Sequence, residues 1–243
     1  MNDDVYGIKK WGNDILEILE NGNIGLKNPF HPDNSPADLI KIIKSLNERG
    51  ISCPVLLRVT DYLAFRIKQI NNSFFRAIGE IKYKGEYKGV FPVKVNQQAQ
   101  VIDRIVEFGK EFDFGLEVGS KPELLIALAH DLSANSTIIC NGIKDREFIH
   151  LAILSIKIGF KTILVLESPR ELDLIIKISK ELNVRPLLGI RVKLTNKVSG
   201  NWSQSSGDRS AFGLSVEQVM EVINKLKKYD YLDCLILQHS HLG

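Results

Sequence analysis

The chain has 243 residues, 44% of them hydrophobic and 25% charged, enough for one large α/β domain or two small ones with a sizeable core. Its 32 basic and 29 acidic side chains leave a formal net charge of +3, and no basic block with interleaved aromatics occurs, so nucleic acid is not an expected partner. The N-terminus lacks the basic start and apolar stretch of a signal peptide, and no window reaches the roughly 18 apolar residues of a membrane helix. A soluble, cytoplasmic protein with no membrane partner is expected.

Residues 1–35, with Trp11, several glycines and an Asn-Pro-Phe-His-Pro stretch, read as an N-terminal arm. Apolar periodicity over 36–49, ended by Gly50, predicts a helix. Residues 54–59 read as a short buried strand, 61–80 as a helix and 87–96 as a second strand. The pattern then repeats, with helices at 98–110, 121–131, 145–158, 169–182 and 215–228. Strands are expected at 114–119, 137–141, 162–167, 187–194 and 234–239. About seven β/α steps with short links imply parallel strands and crossover helices, either a (β/α) barrel or a doubly wound sheet. No linker marks a second domain. The three cysteines, Cys53, Cys140 and Cys234, lie far apart in apolar stretches without metal-ligand spacing and read as reduced core residues.

Strand parity brings out a possible site. In 92–96, Pro92, Lys94 and Asn96 share one face and Val93 and Val95 the other. The same split puts Glu117 between Gly115 and Gly119, opposite Phe114, Leu116 and Val118. It puts Arg191 and Lys193 opposite Ile190 and Val192. With the apolar faces against helices, the polar faces converge near the carboxyl ends of the strands, where such folds hold ligands. The plainer alternative is that strand-end cations reach solvent. A lysine held among apolar walls has a depressed pKa and can act as a free amine, which Schiff-base formation with an aldehyde such as pyridoxal phosphate requires.

Several segments resemble one family: Tyr6-Gly-Ile-Lys-Lys-Trp-Gly12, Val90-Phe-Pro-Val-Lys-Val-Asn-Gln97, Gly115-Leu-Glu-Val-Gly-Ser-Lys-Pro-Glu-Leu124, Ile139-Cys-Asn-Gly-Ile-Lys-Asp-Arg-Glu147, Gln204-Ser-Ser-Gly207, Phe212-Gly-Leu214 and His239-Ser-His-Leu-Gly243. In order and with few gaps, they are similar to the biosynthetic (SpeA-type) arginine decarboxylases. The resemblance implies an α/β fold, a pyridoxal-phosphate-binding (β/α)8 TIM-type barrel of the alanine racemase and ornithine decarboxylase kind, incomplete at its C-terminus and occupying 36–243. It implies conversion of L-arginine to agmatine and carbon dioxide on the route to putrescine and spermidine, in a homo-oligomer. Lys94 would carry the cofactor, His241 would stack on its ring, Glu117 would be the acidic residue near it, and Arg191 a barrel-lining arginine. Magnesium is implied by the resemblance alone. His31, His130 and His150 lie in a loop or near helix ends, with no metal-ligand spacing, and His239 has a weaker claim than His241 to the pocket. Gln204-Ser-Ser-Gly207 could be a phosphate or substrate loop, though such segments are more often ordinary loops.

Three features depart from the family pattern. Gly207-Asp-Arg-Ser-Ala211 is shorter than the usual segment before Phe-Gly-Leu and lacks its last lysine, and Ser240 stands where an aromatic usually separates the two histidines. The sequence also stops at Gly243, before the family's glycine-rich phosphate loop, the acid that pairs with the pyridine nitrogen, and the C-terminal β domain. These 243 residues alone are therefore expected not to decarboxylate arginine and to leave the last strand edge unpaired and apolar. Two other readings stay open: a small single-domain pyridoxal-phosphate barrel protein, and a non-catalytic remnant that associates with a full-length decarboxylase.

Overall fold

The computed structural model describes residues 5–193 and 212–241. The chain divides into two units, Met1–Ser73 and Phe74–Gly243.

In the first unit, helix α1 (Ile8–Trp11) precedes a small antiparallel sheet of β1 (Leu16–Ile18), β2 (Ile24–Leu26) and β3 (Ala37–Asp38), so the segment read as an arm carries strands of its own. Helix α2 (Leu39–Glu48) starts at Asp38, whose side chain accepts from the Ile40 and Lys41 backbone N–H groups and from the Asn21 and Asn23 amides. The Asn23 bond is the largest of the effects that hold the Asp38 carboxyl down at about 2, outweighing its burial, with Asn21 and the helix N–H groups adding to it. The run 54–59 forms no strand. It is almost wholly exposed, Leu56 to 75%, because its apolar composition meets no ladder partner among the described residues, and a strand lacking one is only extended chain. Cys53 is likewise exposed, correcting its assignment to the core, whereas Cys140 and Cys234 are buried. Helix α3 (Thr60–Glu80) leads into the second unit.

There, six strands form a parallel sheet in sequential order: β4 (Val90–Pro92), β5 (Gly115–Val118), β6 (Thr137–Cys140), β7 (Lys161–Leu166), β8 (Leu187–Arg191) and β9 (Leu235–His239). Helices α4 (Ala99–Gly109), α5 (Lys121–Leu128), α6 (Arg146–Lys157), α7 (Pro169–Leu182) and α8 (Val216–Lys228) fill the crossovers. The result is a partial barrel of six parallel strands rather than seven β/α steps. Among the described residues, β4 and β9 each pair with one neighbour, and β9 exposes Ile236.

The two sheet faces differ as strand parity predicts. Leu116, Val118, Ile138, Cys140, Leu164, Leu166, Leu188 and Ile190 pack against helix residues such as Ile102, Leu124, Ile153 and Ile175 in the main core. Ile139, Ile163 and Val165 form a second cluster with Val90, Leu187 and Leu237 on the opposite face. One glycine is required by close packing: a Cβ on Gly115 would lie 2.1 Å from the Thr137 carbonyl oxygen of the neighbouring strand.

The polar ends of the strands are set by local chemistry. Ser120 caps α5 by accepting from Glu123 N–H, and the Glu123 carboxylate accepts from Gly119 N–H at 2.7 Å. Asp145 caps α6 through the Phe148 N–H, and Ser215 and Gln218 form a reciprocal capping box at α8. Helices α5 and α6 thus start within a few residues of β5 and β6, which leaves the final residues of these strands and the short loops beyond them to build one rim.

Candidate cofactor site

The strand expected over 87–96 is shorter than its apolar pattern suggests. Its ladder ends at Pro92, and Val93–Val95 wind into a single 3-10 turn, so Lys94 and Asn96 do not share a strand face. Val93 is fully buried while Lys94 is exposed, which corrects the expectation of an amine enclosed by apolar walls. Proline at the end of the strand has no N–H for a further ladder bond, and the turn directs the lysine out over the rim.

Glu117 lies on the inner face of β5, opposite Leu116 and Val118, as parity predicts. It is 8% exposed, and its Oε1 accepts from the Asn141 amide at 3.0 Å. Its Oε2, the Asn141 Oδ1 and the His239 Nδ1 are buried without a hydrogen-bond partner among the described residues. Buried acceptors of this kind cost free energy unless something donates to them. Arg191 ends β8 on the same face, level with His239 in the ladder. Its Nη1 donates to the two carboxylate oxygens of Glu167 at 3.1 and 3.4 Å, and the guanidinium lies 5.3 Å from the centroid of the Phe212 ring.

His239 and His241 meet edge to face, with ring centroids 5.9 Å apart. Burial first, then the Arg191 cation, holds the His239 imidazole below the usual histidine range, with His241 and Lys94 adding to the effect against Glu167. For His241 the order is loss of solvent around the ring, Arg191 and then Lys94, opposed by Glu117 and Glu167. Both rings are therefore neutral at pH 7. Lys94, Glu117, Glu167 and Arg191 all act on this histidine pair, so the turn after β4 and the ends of β5, β7, β8 and β9 share one electrostatic environment.

The four residues expected at the site, Lys94, Glu117, Arg191 and His241, thus converge on one rim, and the structure adds Asn141, Glu167 and His239. Glu167 could have been recognised from the sequence, because it ends the run Thr162-Ile-Leu-Val-Leu-Glu167 with the parity of Ile163 and Val165. Gln204-Ser-Ser-Gly207 lies outside the described residues. Among the described residues, no group of three or more His, Cys, Asp or Glu side chains is placed to hold a metal ion, so the magnesium implied by the resemblance finds no donor set there. No described helix is long and apolar enough to cross a membrane.

These groups fit pyridoxal phosphate: a primary amine for an aldehyde, a guanidinium for an anionic oxygen, a neutral imidazole for the face of a ring, and buried acceptors awaiting a donor. Comparison with known proteins points the same way. Residues 67–243 match the family model described as pyridoxal-dependent decarboxylase, pyridoxal binding domain. The chain is 45% identical over 240 residues to the biosynthetic arginine decarboxylase of Gloeobacter violaceus, covering 99% of this chain and 37% of that protein. It is 46% identical over 238 residues to the enzyme of that name from Prochlorococcus marinus, again spanning 37% of the relative's length. Among solved structures, the biosynthetic arginine decarboxylase SpeA from Campylobacter jejuni matches with a TM-score of 0.84 at 34% identity, over 98% of this chain and 37% of that one. Diaminopimelate decarboxylase from M. jannaschii shares the fold, with a TM-score of 0.68 at 22% identity over 96% of this chain and 48% of that one. The chain spans about a third of the length of the curated relatives it matches, and it belongs to the pyridoxal-dependent decarboxylase family, whose pyridoxal-binding domain covers residues 67–243.

Proposed function

We propose that this chain carries the cofactor-anchoring part of a biosynthetic arginine decarboxylase, which converts L-arginine to agmatine and carbon dioxide for polyamine synthesis. The observation that carries the reading is 45% identity across 99% of the chain to an enzyme of that name. In this reading residues 36–243 are the cofactor-binding domain behind an arm of 1–35, and the working enzyme is a cytoplasmic homo-oligomer.

Pyridoxal phosphate, when bound, supplies an electron sink for the pair left behind as a carboxylate departs. The chain's own residues supply everything else described here. Lys94 offers the primary amine that anchors an aldehyde. Arg191, hydrogen-bonded to Glu167, offers a cation to an anionic oxygen. His241, neutral at pH 7, offers a ring to stack upon. Glu117 Oε2 and Asn141 Oδ1 are free to accept from a protonated amine brought to the rim.

Borohydride reduction after adding pyridoxal phosphate, followed by peptide mass mapping, tests the anchor. The expected result is one pyridoxyl-phosphate adduct on the peptide containing Lys94, lost in Lys94→Ala. Adducts scattered over surface lysines would overturn it. Assays of a full-length decarboxylase containing these residues, with arginine, ornithine, lysine and diaminopimelate, test the substrate: agmatine as the amine formed supports arginine, and the product of any of the other three would replace it.

A further inference from the structure

Behind the rim lies a buried charged cluster whose inner members, Lys144 and Glu171, have no part in the proposed reaction. The Lys144 side chain is fully buried, and its Nζ donates to the carbonyls of Gly142 at 2.5 Å and Val165 at 2.6 Å and lies 3.4 Å from Glu171 Oε1. Glu171 Oε1 also accepts from the Lys144 backbone N–H at 2.9 Å, and its Oε2 accepts from the Glu167 backbone N–H at 2.8 Å. Glu167 Oε1 in turn accepts from Gly142 N–H at 3.0 Å, presented by a residue with φ of +74°, and from Arg191. Four charged side chains and the backbone of Gly142, Val165 and Glu167 therefore form a continuous circuit through the loops after β6 and β7 to the end of β8.

A buried ion pair is a poor device for stability alone, because desolvation offsets most of its attraction and an apolar pair of similar volume would serve as well. Its geometric consequence is different. The Glu167 side chain is 1% exposed and its carboxylate is fixed from two directions, while Arg191 is 17% exposed and sits at the rim. We propose that Glu167 is a positioning residue that sets the orientation of the Arg191 guanidinium, and that the buried Lys144–Glu171 pair holds Glu167 in place to do so. The proposal rests on the cofactor reading only for what Arg191 then serves, an anionic oxygen of the bound ligand; the positioning itself is a property of this chain.

The test compares the parent chain with Glu167→Gln and Lys144→Met by 15N-edited NMR of the arginine side chains, with Arg191 assigned through Arg191→Lys. In the parent, the Arg191 guanidinium protons are expected to be resolved and slow to exchange. Glu167→Gln keeps the side-chain volume and an acceptor for Gly142 N–H but removes the charge; it should collapse those signals and weaken pyridoxal phosphate capture about tenfold. Lys144→Met touches neither Arg191 nor the rim, yet should have the same effect on the Arg191 signals, which a merely stabilising ion pair would not. Unchanged Arg191 signals in folded Glu167→Gln overturn the proposal. If Lys144→Met does not fold, Glu167→Gln alone decides it. If the parent captures no pyridoxal phosphate, the functional reading fails while the guanidinium spectra still decide the role of Glu167.

Discussion

Replacing Gly115 by alanine tests the sheet geometry on which the site depends. A Cβ there would lie 2.1 Å from the Thr137 carbonyl oxygen and 3.0 Å from both its carbonyl carbon and its amide nitrogen, atoms of backbone rather than of a flexible side chain. To reach an ordinary contact, β5 and β6 must part by about 1 Å, and the adjoining ladder at Leu116↔Ile138 and Glu117↔Ile139 must stretch with them. Overpacking a core costs about 1–3 kcal/mol, and two weakened ladder bonds add about 0.5–1.5 kcal/mol each, giving about 3 kcal/mol or more. With a urea slope of about 1–3 kcal/mol/M, the unfolding midpoint should fall by at least about 1 M. Gly79→Ala, in helix α3 with nothing within 4 Å of the added carbon, is the matched control and should raise stability by about 0.5–1 kcal/mol. A Gly115→Ala protein as stable as its parent would refute the placement of β5 against β6, and with it the position of Glu117 on the rim.

Two further outcomes follow from groups on either side of the sheet. His239 and His241 should titrate by NMR with midpoints below the usual 6.5. Because the unfolded chain then takes up these protons first, stability should be full above about pH 6.5 and fall as pH drops toward the folded midpoints, with Arg191→Met moving both midpoints up; a midpoint at or above 6.5 in the parent contradicts the geometry of the rim. In the native protein a disulfide reagent should label the exposed Cys53 quickly and Cys140 only on unfolding, since Cys140 is buried and its thiol is pushed up to about 12, chiefly by burial; equal labelling rates would contradict the buried face of β6.

The alternation of strands and helices, the two faces of β5 and β8, and the motif around Lys94 could all be read from the sequence. They rest on periodicity and on a short motif, which are local properties carried by neighbouring residues. Other features depended on contacts distant in the chain. Residues 54–59 have strand composition but no ladder partner among the described residues, and they leave Cys53 exposed; composition cannot supply a partner's hydrogen bonds. The strand before Lys94 ends at Pro92 because its pairing with β5 reaches only that far, so the lysine stands on a turn rather than in a wall. Strand parity puts Glu167 on the polar face, and Lys144 lies in a motif, but neither shows its partners in the sequence. Folding brings Gly142, Glu171 and Arg191 around them, 25, 27 and 24 residues away along the chain in the bonds concerned. Local pattern thus determined which elements form and which face of each is polar. Tertiary packing decided which polar groups are buried, what each is bonded to, and which of them remain free to receive a ligand, because burial and hydrogen-bond partnership belong to atoms meeting in space rather than to neighbours in sequence.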